Sequence, residues 1–157
     1  MLFSSSEDAT LALGSAIAGF LGFGDTVALY GDLGAGKTVL SRGVARGLGI
    51  VAPVTSPTFT VVQEYGLPGG GFFFHLDMYR IDGEEAALAF GIEDFLFAKD
   101  AISLVEWPER IEGLLGGMGV IPFRLAHSDH DVRTIELPQW LEQKLVNAGL
   151  PDGIVQN

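Results

Sequence analysis

The sequence predicts an α/β protein in which helices cover both faces of a mixed sheet. Three observations carry that reading. Short apolar, β-rich runs such as Thr26 to Tyr30 and Ala101 to Val105 alternate with helical stretches. A glycine-rich octet, Gly31-Asp32-Leu33-Gly34-Ala35-Gly36-Lys37-Thr38, joins the first of those runs to a helix. The turn Leu67-Pro68-Gly69-Gly70-Gly71 separates two further β-rich segments, as an antiparallel hairpin requires. The octet fits the pattern G-x-x-x-x-G-K-[ST] without a gap. The expected architecture is therefore a three-layer sandwich like that of P-loop NTPases, its mixed central sheet carrying the hairpin.

Each element has a local cause. A first helix is expected from about Ser6 to Leu21, opened by a Ser/Asp-rich cap and carrying Leu11, Leu13, Ile17 and Phe20. Thr26-Val27-Ala28-Leu29-Tyr30 suits a buried strand. After the octet, Leu40, Val44 and Leu48 recur at helical spacing and Gly49 supplies a stop. Val54 to Phe59 is polar, contains Pro57 and is too irregular for a regular element. Strands are expected at Thr58 to Tyr65 and Phe72 to Tyr79, the two arms of the hairpin. Gly83 to Phe97 reads as helix in one or two pieces broken near Gly91. Ala101 to Val105 has the continuous apolar character of a strand covered on both faces. Pro108 can start a short helix. Strands near Phe123 to Ala126 and Arg133 to Leu137 precede a helix from Pro138 to about Ala148. One domain is expected over residues 1–150, with a frayed tail at 151–157.

Composition narrows the function. The chain has 157 residues, 48% of them hydrophobic, and no cysteine, which excludes disulfides and thiolate metal sites. No apolar run reaches the length of a membrane span. The first residues carry Glu7 and Asp8 where a signal peptide would carry basic groups, so a cytoplasmic location is expected. The formal charge is −11, and the nine basic residues comprise three lysines and six scattered arginines. Nucleic-acid binding draws on Lys and Arg to neutralise phosphates, so direct binding of nucleic acid is not expected.

The octet itself points to a triphosphate. Glycines let successive backbone N–H groups turn inward on phosphate oxygens. The cofactor-binding set is Gly31, Gly34, Ala35, Gly36, Lys37, Thr38 and Val39, with the Lys37 charge on the β- and γ-phosphates and the Thr38 hydroxyl on Mg²⁺. Such a loop needs an acid at the end of a neighbouring strand. Glu106, closing Ala101 to Val105, is favoured by strand character as the metal carboxylate. Asp77 closes Phe72 to Leu76 and competes for that role. If Glu106 takes the metal, Asp77 can orient a water near the γ-phosphate; the alternative is an ion pair with Arg80. Thr55-Ser56-Pro57-Thr58 lies where a γ-phosphate sensor would sit. His75 fits a satisfied, partly buried histidine better than a ligand or a catalytic group. Trp107 can pack on nucleotide or in the core.

Taken in order, the octet, Ser56-Pro57-Thr58-Phe59, His75-Leu76-Asp77-Met78-Tyr79-Arg80 and Val105-Glu106-Trp107-Pro108-Glu109 resemble the TsaE family, formerly YjeE. The resemblance runs from about Ala9 to Glu109. It implies a bacterial ATPase, with ATP and Mg²⁺ as cofactors, required to make threonylcarbamoyladenosine in tRNA. It further implies that TsaD and TsaB are the partners, that TsaC supplies their activated intermediate, and that tRNA is reached through those partners. By position it places Thr38 and Glu106 on Mg²⁺ and Lys37 on the phosphates. It gives Asp77 to hydrolysis, with Lys37 and Thr58 counted beside it as catalytic, Ser56 to Thr58 to a switch and Glu109 to a polar nucleotide contact. Val39 stands where many relatives carry a hydroxyl residue. Two other functions fit the octet alone: an ATP-dependent scaffold without catalysis, and a small-molecule kinase. The kinase usually needs an arginine-rich lid, and none follows here.

Overall fold

A computed structural model describes residues 1–55, 57, 60–116 and 119–157. Its strands form one sheet: β1 (Leu2–Ser4), β2 (Thr26–Tyr30), β3 (Val62–Gly66), β4 (Phe72–Asp77), β5 (Ala101–Glu106), β6 (Ile121–His127), β7 (Arg133–Glu136) and β8 (Ile154–Gln156), in the order β3-β4-β5-β2-β6-β7-β1-β8. The inner strands β4, β5, β2 and β6 run parallel, while β3 on one side and β7, β1 and β8 on the other pair antiparallel. The helices are α1 (Glu7–Ala18), α2 (Lys37–Gly47), α3 (Glu84–Ala89), α4 (Glu112–Leu115) and α5 (Gln139–Ala148), with 3₁₀ turns at Ile92–Asp94 and Pro108–Ile111. This is the mixed α/β sandwich that the sequence predicts, hairpin included.

Period-2 alternation in the strands divides the core into two layers. Val27, Leu29, Phe73, Ile102 and Leu104 pack with Leu13, Ile17, Leu40, Val44, Leu141 and Leu145, the inward faces of α1, α2 and α5. Ala28, Leu76, Ala101 and Val105 face the other way, against Ala87 of α3, Ile92 and Leu115 of α4. Nothing polar on β2 or β5 faces either layer without a bond: Thr26 accepts from the Phe97 N–H at 2.9 Å, and the Ser103 hydroxyl donates to the Phe95 carbonyl at 2.5 Å. That continuous apolar character is why both strands are legible as buried ones.

The tightest helix contact is between α1 and α2, and glycines make it. A Cβ at Gly43 would fall inside contact distance of the Leu11 carbonyl oxygen, and one at Gly14 would meet the Leu40 carbonyl. The two backbones therefore approach closer than alanine allows. α1 is opened by Ser6, whose hydroxyl accepts from the Ala9 N–H at 3.1 Å.

Several boundaries move. β3 begins at Val62, because Val61 adopts a left-handed backbone with φ 68° and cannot extend a strand; Thr58 and Phe59, where the sequence predicts the arm to start, lie outside the described residues. α1 stops at Ala18, three residues short of Leu21. The helical stretch from Gly83 does break at Gly91, which is left-handed at φ 71°. The frayed tail is corrected outright: Ile154–Gln156 is β8, paired in register with β1 and anchored by the buried Ile154. The Ser5 N–H donates to the Gly153 carbonyl at 3.0 Å, which ties the tail to the first strand. Three-residue strands have too few positions to display a period, so β1 and β8 leave no pattern to read.

Candidate active site

The site forms where the parallel strands end on the same side of the sheet, the usual position for a crevice in such folds. β2 runs directly into the glycine loop. Gly36 caps α2 in a left-handed conformation, φ 100°, with no side chain bonded to the first-turn amides. An eleven-residue helix therefore directs its N-terminal N–H groups and its positive dipole end into the crevice. The Ala35 N–H donates to the Asp32 carbonyl at 3.1 Å, closing the loop behind.

The acids arrive from the neighbouring strands. Asp77 and Glu106 end β4 and β5 directly opposite each other, and Glu106 is also opposite Leu29 of β2. The end of β2, from which the loop leaves, and the two acids thus share one level of the sheet. Both carboxylates are buried, as is Lys37. Glu106 Oε1 lies 3.5 Å from the Thr38 hydroxyl, and Glu106 Oε2 lies 2.5 Å from His75 Nε2. Asp77 Oδ1 accepts from the Tyr79 N–H at 2.9 Å, which fixes the orientation of its carboxylate.

Lys37 is held from two sides. Its ammonium donates to the Gly31 carbonyl at 2.5 Å and stands 3.5 Å from the centroid of the Trp107 ring. Trp107 reaches that place through a left-handed backbone, φ 58°, unusual for a bulky residue, and its ring leans on Tyr79 at 4.9 Å. The strain costs about 1–3 kcal/mol and a desolvated cation–π contact returns a comparable amount. Burial pushes the Lys37 pKa below its usual value, while Glu106, Glu109, Asp77 and Asp32 pull it back up.

A cleft of roughly 640 Å³ opens over these groups. Gly34, Gly36, Lys37, Thr38, Val39, Asp77 and Glu106 line it, so the structure brings most of the residues expected from sequence into one space. Gly31 and Ala35 support it from behind: the first through its carbonyl, the second buried beneath the loop. Glu109 is exposed and outside the lining, its charge reaching the site only through the field at Lys37. Thr58, expected among the catalytic residues, and Ser56 lie outside the described residues. Ser6, Glu7 and Thr10 of the first helical turn, and Asp131 and Arg133 at the start of β7, complete the wall. Sequence reasoning missed them. Only the basic character of Arg133 could have flagged it, since folding alone brings β7 to the loop.

The donor set suits Mg²⁺. A hydroxyl and a carboxylate 3.5 Å apart are hard oxygen donors. Among the described residues no group of three or more His, Cys, Asp or Glu side chains could cage a metal. A cation bound here would complete its shell with water and phosphate oxygens, as Mg²⁺ does at phosphate loops.

A family model described as threonylcarbamoyl adenosine biosynthesis protein TsaE matches residues 4–135. The chain belongs to the TsaE family. It is 42% identical to the tRNA threonylcarbamoyladenosine biosynthesis protein TsaE of Haemophilus influenzae over 71% of this chain and 68% of that protein. The Synechocystis protein of the same name is 43% identical over 71% of this chain and 72% of its own length. The Mycobacterium tuberculosis one is 37% identical over 80% and 79%. The crystal structure of Bacillus subtilis YdiB superposes with a TM-score of 0.71 at 26% identity, covering 94% of this chain and 95% of that one. In this TsaE chain the ranking of Glu106 over Asp77 by strand type loses its basis. β4 is both a hairpin arm and a parallel neighbour of β5, so both acids end interior strands. Among the described residues no helix is long and apolar enough to cross a membrane.

Proposed function

We propose that the chain binds and hydrolyses ATP with Mg²⁺, in the service of threonylcarbamoyladenosine formation on tRNA. The observation that carries the chemistry is the convergence of the α2 N-terminus, Lys37, Thr38, Asp77 and Glu106 on one cleft. The names of the relatives, all tRNA threonylcarbamoyladenosine biosynthesis proteins, support the biological setting. In this reading the loop amides and Lys37 neutralise the β- and γ-phosphates as charge builds in the transition state. Thr38 and Glu106 hold Mg²⁺, which supplies further neutralisation of the phosphates. Asp77, oriented by the Tyr79 amide, positions the attacking water. The resemblance to the family supports TsaB and TsaD as partners through which tRNA is reached, and the acidic chain supports the absence of a direct grip on RNA. The setting in tRNA modification that the relatives' names give supports the cytoplasm as the location.

The test is phosphate release, followed with the full chain alone and mixed with purified TsaB–TsaD. Lys37→Ala is expected to abolish ATP binding by calorimetry. Asp77→Ala is expected to keep binding and to lose turnover by at least ten-fold. Retained ATP affinity in the lysine variant would overturn the site, and unchanged turnover in the aspartate variant would overturn the role given to Asp77.

A further inference from the structure

We propose that His75 is a positioning residue for Glu106: it holds one carboxylate oxygen so that the other faces Thr38 and the phosphate loop. The inference rests on the reading of the site as one for nucleotide and Mg²⁺. The two residues are diagonal neighbours on one sheet face, because His75 is opposite Leu104 and Glu106 lies two residues further on. Both are buried, and the oxygens of Glu106 are divided between them: Oε2 to His75 Nε2 at 2.5 Å and Oε1 to Thr38 at 3.5 Å.

The second ring nitrogen explains the direction of the bond. His75 Nδ1 is buried without a hydrogen-bond partner among the described residues. A carboxylate accepts only, so Nε2 is the donor. The ring is buried and stacks on Phe73, with 6.2 Å between centroids. Leaving a polar atom unpaired in the core costs about 1–3 kcal/mol. Leucine would fill this place on β4 without that cost, as Leu76 does next to it on the opposite face. A histidine here is explained by the one bond it makes. Without that bond Glu106 is free to rotate about its terminal torsion and to present either oxygen, or neither, to a cation. Partners that orient a ligating group in this way typically change metal affinity 10–100-fold when removed.

The experiment compares the wild type, His75→Leu and His75→Gln, whose amide reaches a similar position to donate. ATP binding is measured by calorimetry in EDTA and across a series of free Mg²⁺ concentrations, with thermal melting of each ligand-free variant alongside. His75→Leu is expected to raise the Mg²⁺ midpoint about ten-fold, to leave affinity in EDTA within two-fold of wild type, and to be rescued by His75→Gln. In a Glu106→Gln background, His75→Leu is expected to move the Mg²⁺ midpoint no further. An unchanged midpoint in His75→Leu overturns the proposal. So does a parallel loss in EDTA and in Mg²⁺ that follows the melting temperature and is shared by both His75 variants. A wild type that binds no ATP, or binds it without regard to Mg²⁺, overturns the underlying reading instead, and the inference with it.

Discussion

Tyr30, the last residue of β2, donates its hydroxyl to Glu112 Oε1 at 2.9 Å while the Arg124 guanidinium lies 4.4 Å from its ring centroid. Burial and the bonded Glu112 carboxylate push its phenol up to about 12, against a partial pull from Arg124. The folded state therefore holds the proton more tightly than the unfolded chain, and the resulting stability is complete below pH 10 and lost as pH rises toward 12. Tyr30→Phe is expected to cost about 1 kcal/mol at pH 8 by urea denaturation, with the difference shrinking between pH 10 and 12. A constant difference across that range would contradict the assignment. At this scale the sequence was readable where chemistry is local. Lys37, Thr38 and Glu106 stand out as site candidates because one loop and one strand end mark them, and all three line the cleft. The seat of Lys37 on Trp107 was not readable, because it depends on a left-handed turn that a tryptophan seldom adopts. Nor was the grip of His75 on Glu106, which joins residues 31 positions apart.

At the scale of elements, the pairing of α1 with α2 sets where the loop points. α2 can present its N-terminus to the ends of β4 and β5 only if it lies flat against α1, and Gly14, Gly43 and Gly47 provide that approach. Gly43→Ala is expected to destabilise the fold by about 3 kcal/mol through overpacking against the Leu11 carbonyl, read as a lowered urea midpoint. Helical propensity argues the other way, since alanine is favoured over glycine by about 1 kcal/mol inside a helix. The sign of the measured change therefore decides between packing and propensity. The helices were legible from apolar spacing, and the break at Gly91 from a single residue. Close approach was not, because a glycine in a helical pattern reads as a weak spot until the partner backbone is known.

For the whole molecule, the sheet has a parallel centre and antiparallel margins, and the margins were the less legible part. The parallel strands β2, β4 and β5 are apolar and almost wholly buried, while β6 buries only one face. β1 and β8 acquire their strand character from each other and from β7, contacts that span most of the chain. Ile154 packs into the same core as Leu2, Ala9 and Leu13. Ile154→Ala is expected to cost about 2 kcal/mol in chemical denaturation, where a tail without structure would tolerate it. The cleft depends on both regions, since Lys37 and Glu106 come from the centre and Arg133 from the margin.

The glycine contact between α1 and α2 also bears on how variation in this chain should be read. Gly43 offers no functional group and its helix faces its neighbour's backbone, yet almost any replacement displaces the helix that carries Lys37. A survey of tolerated substitutions will find that position as restricted as those that line the cleft. Intolerance there measures the space between two main chains, and ligand titrations on a variant that still folds will separate it from chemistry.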